Sequence, residues 1–373
     1  MISPEELLSA LQRGGVDFYS GVPDSLLKNL CSAIEARVAA GMHVIAANEG
    51  NAVAMAAGYH LSTGRIGAVY MQNSGLGNAI NPLASLTDAE VYRIPLLLII
   101  GWRGEPGVKD EPQHVKQGRI TEGQLKLLEI PYRVLQADSD WKELVDATFA
   151  DLHMVSSPVA ILVRQDTFSE NTSTFAHANR GMMEREEAMG IILDSTDGKG
   201  VFVSSTGKSS RELYELRVKR GESQQDFLTV GSMGHTSSIA LGVALGNPGK
   251  RVFCLDGDGS LIMHLGALPV IGKLKPANLV HLVLNNACHE SVGGQPTVAD
   301  AIDFKSLSSA CGYESFDRAV DGESLRSAIR RAVSGSGPAF IEVVVRRGSR
   351  KDLGRPATTP EENKLAFMKV AGV

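Results

Sequence analysis

RVFCLDGDGSLIMHLGALPVIGKLKPANLVHLVLNNACHE, residues 251–290, decides the fold. An apolar run ends at Asp256, Gly257-Asp258-Gly259 follows, and a helical pattern is predicted from Ser260 to about Leu274. A second apolar run then ends at Asn285 and Asn286. A strand, a covering helix and a second strand make a βαβ unit, whose crossover sets the two strands parallel and side by side. Asp258 and Asn286 then project from neighbouring carboxyl ends, where open α/β sheets bind ligands. A carboxylate and an amide oxygen are hard ligands that suit Mg²⁺ bridged to phosphates. The flanking glycines admit backbone N–H groups to a diphosphate.

Outward from this stretch the same rhythm repeats. HVIAA (43–47), IGAVYM (66–71), PLLLII (95–100) and VAILV (159–163) read as buried strands, as do VFVSS (201–205) and AFIEVVV (339–345). Continuous apolar strands alternating with helices imply parallel sheets covered on both faces. The piece SENTSTFAHANRG (169–181) is polar and without period, so it reads as a linker between two α/β domains. The boundaries drawn are 1–170, a linker at 171–188, and 189–373.

Composition narrows the class. The 373 residues suit two domains, and 43% hydrophobic content suits packed cores. A net charge of −5 gives no global attraction to nucleic acid. MISPEELLSALQRGG lacks the basic start and apolar run of a signal peptide, and the longest apolar stretch, 94–102, is too short to cross a bilayer. Cys31, Cys254, Cys288 and Cys311 form no CxxC pair, so no zinc or redox framework is suggested and a cytoplasmic location is expected. No GxGxxG stands between strand and helix, which weighs against a nicotinamide oxidoreductase.

Each motif alone has a plain structural reading. GDG is a tight turn, Glu49 in HVIAANEGNAVAMAAGYHLSTGR (43–65) is an acid complementing a helix dipole, and Asp24 in GVPDSLLKNL (21–30) is an N-cap. Met233 in GSMGHTSSIALGVALG (231–246) is core filler after a glycine turn. The basic residues in GWRGEPGVKDEPQHVKQGRIT (101–121) read as a solvated loop, and those in RRGSRKDLGRPATTPEENK (346–364) as a solvated tail.

Taken together the motifs resemble those of the thiamine-diphosphate-dependent decarboxylases, over nearly the whole chain. The resemblance implies two doubly wound domains, pyrimidine-binding then diphosphate-binding, with no middle domain between them. It implies thiamine diphosphate and Mg²⁺ as cofactors, with Asp258, Asn286 and the Cys288 carbonyl on the metal. The family usually has glycine at the position of Cys288. Met233 maps to the residue that holds the cofactor bent, and Glu49 to the carboxylate at the pyrimidine nitrogen. Asn73, Thr206, Gly207, Gly231, Gly257, Gly259 and Ser260 complete the expected cofactor contacts.

KDEPQHxxQG (109–118) is similar to the phosphonopyruvate and sulfopyruvate decarboxylase branch. That likeness implies a small anionic 2-oxo acid, 3-phosphonopyruvate ahead of sulfopyruvate, decarboxylated through a thiamine ylid to an aldehyde in phosphonate (antibiotic) biosynthesis. His114 and Asp24 are the implied proton carriers, and Ser25, Lys109, Gln113 and Arg350 the implied substrate contacts. A homodimer or larger assembly, with active sites between subunits, follows from the same family. A carboligating synthase would share the cofactor motifs. The glutamate that larger relatives carry further along has no counterpart: Val292 falls near its position, and Glu290 is out of register.

Overall fold

Two compact units divide the computed structural model, Met1–Ala176 and His177–Val373. The structure describes residues 1–170, 183–196 and 198–372, so most of the expected linker lies outside the described residues.

The first unit carries β1 (Val16–Gly21), β2 (His43–Ile45), β3 (Ile66–Gln72), β4 (Leu96–Gly101), β5 (Tyr132–Leu135) and β6 (Val159–Val163). They form one parallel sheet in the order β2-β1-β3-β4-β6-β5. Strand β4 shows why the sequence runs apolar without alternation. Its Leu97 and Ile99 enter one core with Leu7, Leu30 and Ile161, while Leu96, Leu98 and Ile100 enter another with Val53, Ala56 and Leu83. Helices cover both faces, so both sides of the strand are buried.

The second unit carries β7 (Val201–Ser204), β8 (Phe227–Leu228), β9 (Val252–Gly257), β10 (Leu279–Asn285), β13 (Ser315–Ala319) and β14 (Ala339–Val344) in the order β13-β14-β10-β9-β7-β8. A small antiparallel hairpin, β11 (Cys288–His289) with β12 (Gln295–Pro296), follows β10. Strand order reverses between β7 and β9, so the chain leaves these neighbours in opposite directions and opens a crevice at their carboxyl ends.

Three sequence expectations are corrected. The helix after Asp256 is two helices, Asp258–Met263 and Ala267–Leu274, because His264 leaves the helical conformation at φ −139°. Residues 101–121 are not all loop: Pro112 starts a helix, Pro112–Leu127, with Glu111 as its cap, and His114 lies in its first turn. Asp24 caps no helix, since the next one, Lys28–Arg37, is entered from Leu27. Among the described residues no helix is long and apolar enough to cross a membrane.

Candidate active site

In the second unit, register places Leu284 of β10 opposite Gly257 of β9, so the two chains leave the sheet together. Asp258 is the first residue of its helix and is almost wholly buried. Thr297 Oγ1 donates to its Oδ2, and backbone N–H groups of Asn286 and Gly259 also face the carboxylate. Burial outweighs these donors and pushes the Asp258 carboxyl up to about 6. A carboxylate held by a hydroxyl and backbone N–H groups, in a site that disfavours its charge, has the electrostatics a divalent cation would relieve.

Asn286 is buried beside it, its Oδ1 accepting from Cys288 N at 3.1 Å and its Nδ2 donating to Glu290 Oε2 at 2.9 Å. Arg347 Nη2 donates to Ala287 O at 2.9 Å, fixing the turn that carries Asn286 into the hairpin. Cys288 is buried, and its thiol is pushed up to about 12, chiefly by desolvation. Its side chain is therefore a neutral thiol at neutral pH, consistent with a contribution through the carbonyl.

Around the crevice, Thr206 and Gly207 follow β7, and Gly207 caps the helix Lys208–Lys219. Gly231 N donates to Thr206 Oγ1 at 3.1 Å, and Gly234 N to Ser260 Oγ at 3.1 Å. These two bonds clamp the half-buried Met233 between the ends of β7 and β9. Nothing stands within 4 Å of the place a Cβ on Gly257 would take, so backbone is open to a ligand there. Gly259 is instead closed by the His289 ring, 3.1 Å from that position.

Beneath this surface Cys254, Asp256 and His281 bring their ligand atoms within 4.8 Å of one another. His281 is tied through Nδ1 to Tyr313 Oη at 2.9 Å, and burial opposes ionisation of the Cys254 thiol, so the trio reads as a buried polar cluster of the sheet.

In the first unit, Glu49 opens the helix Glu49–Thr63 and is buried. Burial raises its pKa, and Asn78 Nδ2, donating to Oε2 at 2.7 Å, partly offsets this. A Cβ on Gly75 would lie 2.5 Å from Glu49 Oε1, so that glycine is required for the carboxylate to sit where it does.

Asp24 is also fully buried. Its Oδ2 accepts from Leu26 N at 2.9 Å, while Oδ1 is buried without a partner. Desolvation pushes its carboxyl up to about 6, against the backbone bonds and the charge of Arg103.

Asp110 organises the loop after β4. It accepts from Arg103 Nε at 2.8 Å, from Gly104 N at 2.8 Å, and faces His114 Nδ1 at 2.9 Å. Burial would raise its pKa, but the Arg103 guanidinium, His114 and the backbone donors win and hold it well below the usual carboxylate range. Arg103 Nη1 also reaches Ser25 Oγ at 2.7 Å, so Ser25, Arg103, Asp110 and His114 form one chain of contacts. Desolvation lowers the His114 pKa, with Asp110 opposing. With Nδ1–H facing Asp110, the neutral ring presents Nε2 as an acceptor.

Asn73 is buried and donates to Arg103 O at 2.8 Å and Thr121 Oγ1 at 2.9 Å, binding the end of β3 to this loop. Gln113 is half-buried in the helix and Lys109 is exposed. Glu186, Glu215 and Asp352 surround the guanidinium of Arg350 and anchor the C-terminal segment.

The sequence reading passed over Asn78, Asp110, Thr297 and the ion pairs on Glu290. Their side chains act through other site residues, so no spacing within a motif announces them.

Two family models match the chain: the N-terminal TPP binding domain of thiamine pyrophosphate enzymes over residues 4–125, and the C-terminal TPP binding domain over residues 205–343. A phosphonopyruvate decarboxylase of Streptomyces viridochromogenes is 37% identical across 98% of this chain and 94% of its own. The chain belongs to the phosphonopyruvate decarboxylase family of thiamine pyrophosphate enzymes. A second family member, from Streptomyces hygroscopicus, is 36% identical over 100% of this chain and 94% of its own. A sulfopyruvate decarboxylase of Methanosarcina acetivorans is more distant, at 28% identity over 100% of this chain and 99% of its own.

Proposed function

We propose that this chain decarboxylates 3-phosphonopyruvate to phosphonoacetaldehyde and carbon dioxide, with thiamine diphosphate and Mg²⁺ bound. The observation that carries the reading is the pairing of Asp258 and Asn286 at adjacent strand ends, in a chain 37% identical to a phosphonopyruvate decarboxylase along almost its full length.

Asp258, Asn286 and the Cys288 carbonyl would hold the metal. Thr206, Gly207, Gly231, Gly257 and Ser260 would receive the diphosphate, with Gly259 reaching it through its backbone N–H because the His289 ring closes its other side, Met233 beneath the rings and Asn73 bracing the activating side. Bound there, thiamine diphosphate supplies the electron sink for the pair released with carbon dioxide. Glu49, whose burial favours the protonated carboxyl, holds a proton at the pyrimidine nitrogen. His114 Nε2 and the buried Asp24 carboxyl deliver the proton that replaces the departing carboxylate on the substrate carbon. Ser25, Lys109 and Gln113 face the anionic end of the substrate. Placement in phosphonate and antibiotic biosynthesis, a homodimer or larger assembly, and a cytoplasmic location complete the proposal. The last suits four cysteines that are all unpaired.

The test is carbon dioxide and aldehyde release from 3-phosphonopyruvate, sulfopyruvate and pyruvate, with and without thiamine diphosphate and Mg²⁺. Cofactor-dependent release of phosphonoacetaldehyde, strongest with phosphonopyruvate, is the expected result. A preference for sulfopyruvate moves the substrate, and a ketol product moves the reaction to carboligation. Absence of cofactor-dependent turnover of all three overturns the proposal.

A further inference from the structure

Glu290 lies directly after the hairpin strand that carries Cys288 and His289, and its carboxylate is surrounded by donors. Oε2 accepts from Asn286 Nδ2 and from Arg185 Nη1, each at 2.9 Å, and Oε1 accepts from Lys208 Nζ at 2.8 Å. Arg185 is itself fixed, its Nε and Nη2 donating to Glu212 at 2.6 and 2.8 Å. All of these belong to the second unit.

An asparagine amide has two nearly isosteric ends, and its orientation is set by its neighbours. A carboxylate flanked by two cations is ionised and only accepts, so the end of Asn286 that faces Glu290 must be the NH₂. The oxygen is then turned to the other side, where a hard cation can use it. The backbone bond from Cys288 N favours the same orientation, but it is neutral and 3.1 Å long. Bonds to an ionised acceptor are roughly twice as strong.

We propose that Glu290 is a positioning residue for the metal: anchored by Arg185 and Lys208, it holds the Asn286 amide with its oxygen toward the cation. The proposal rests on Asn286 being a metal ligand, as argued above. Without Glu290 the amide is free to turn its NH₂ group, which cannot ligate, toward the site. The same residue ties Asn286 to Lys208, the first residue of the helix after Gly207, so one carboxylate sets the geometry of two edges of the crevice.

The test is a titration of the full chain with Mn²⁺, read by electron paramagnetic resonance, with thiamine diphosphate present and folding checked by circular dichroism. Outer contacts of metal ligands are worth about 10- to 100-fold in affinity, so Glu290→Ala is expected to weaken Mn²⁺ binding by about that factor. Glu290→Gln keeps an oxygen acceptor for Asn286 while losing the charge, and is expected to recover most of the affinity. Asn286→Ala is the control. If it binds Mn²⁺ as the wild type does, the ligand assignment fails and the positioning role falls with it. If Asn286→Ala loses the metal while Glu290→Ala stays within about twofold of wild type, the positioning role alone is overturned. Should Glu290→Ala not fold, Glu290→Gln as weak as Asn286→Ala overturns it too, since charge and not orientation would then be at work.

Discussion

Asn78 donates its side-chain N–H to Glu49 Oε2 at 2.7 Å, across from Gly75, which presses against the other oxygen of the same carboxylate. Burial leaves the group poorly solvated and raises its pKa, outweighing the bonds from Asn78 and from the Glu49 backbone N–H. A carboxyl poised closer to neutrality exchanges a proton with a ring nitrogen more readily than an ordinary surface glutamate does.

Glu49→Gln keeps the shape and removes the exchangeable charge. Turnover is expected to fall about 100-fold or more, while thiamine diphosphate still binds. Cofactor titration by circular dichroism alongside steady-state kinetics separates the two effects, and near-normal kcat would remove Glu49 from the chemistry.

Asn78→Ala removes the bond that lowers the Glu49 pKa, so that pKa rises further. Because the protonated carboxyl is the form proposed to engage the cofactor, the basic limb of the kcat profile moves to higher pH. An unmoved limb would show that Glu49 does not set it.

Asp24 is held at a cost to the fold. Its folded pKa of about 6 lies above the ordinary 3.8, so the native state binds the extra proton. Its contribution to stability is therefore most favourable below the ordinary value and is lost as pH rises towards 6. Asp24→Asn should stabilise the chain at pH 7 by on the order of 1–3 kcal/mol, while reducing turnover. Urea unfolding at pH 4 and pH 7 checks it; a variant no more stable at pH 7 than wild type would contradict the burial account.

Asp110 has the opposite sign. Its pKa is depressed, so the stability it gives is present above the ordinary value of 3.8 and is lost as pH falls through its lower native value. Asp110→Ala releases Arg103 and His114 together and should cost about 2 kcal/mol at neutral pH. It should also lower the His114 pKa further, because Asp110 raises it, and nuclear magnetic resonance of the imidazole protons reads that directly.

Asp258→Ala should abolish the gain in melting temperature that thiamine diphosphate with Mg²⁺ gives the wild type, a gain on the order of 5 °C at saturating ligand. Chelation should lower the wild-type value and leave the variant unchanged. An equal cofactor-induced shift in both proteins would undo the metal assignment.

The buried strands were legible because both faces of each sheet are covered, which leaves long apolar runs in the chain. β5 and β13 were not. Both lie at sheet edges, and in Tyr132–Leu135 and Ser315–Ala319 all but the last residue are at least partly exposed, so arginine, aspartate and tyrosine interrupt the run. Asp258, Asn286 and Glu49 could be picked out because each sits at a fixed offset from a strand end. Glu290 stood in the same stretch, yet its partner Arg185 is more than a hundred residues away. A contact of that span is written in the packing and leaves no trace in local spacing. The acids around Arg350 were equally invisible in the sequence, since Glu186 and Glu215 lie far from it along the chain.

The buried clusters of the first unit lie between Ile2 and Phe168 and that of the second between Met183 and Val345, so among the described residues no cluster draws on both units. What the continuous polypeptide secures is stoichiometry. One message delivers the Glu49 half and the Asp258 half in equal number, so neither accumulates without the other, and selection on either half acts on a single gene.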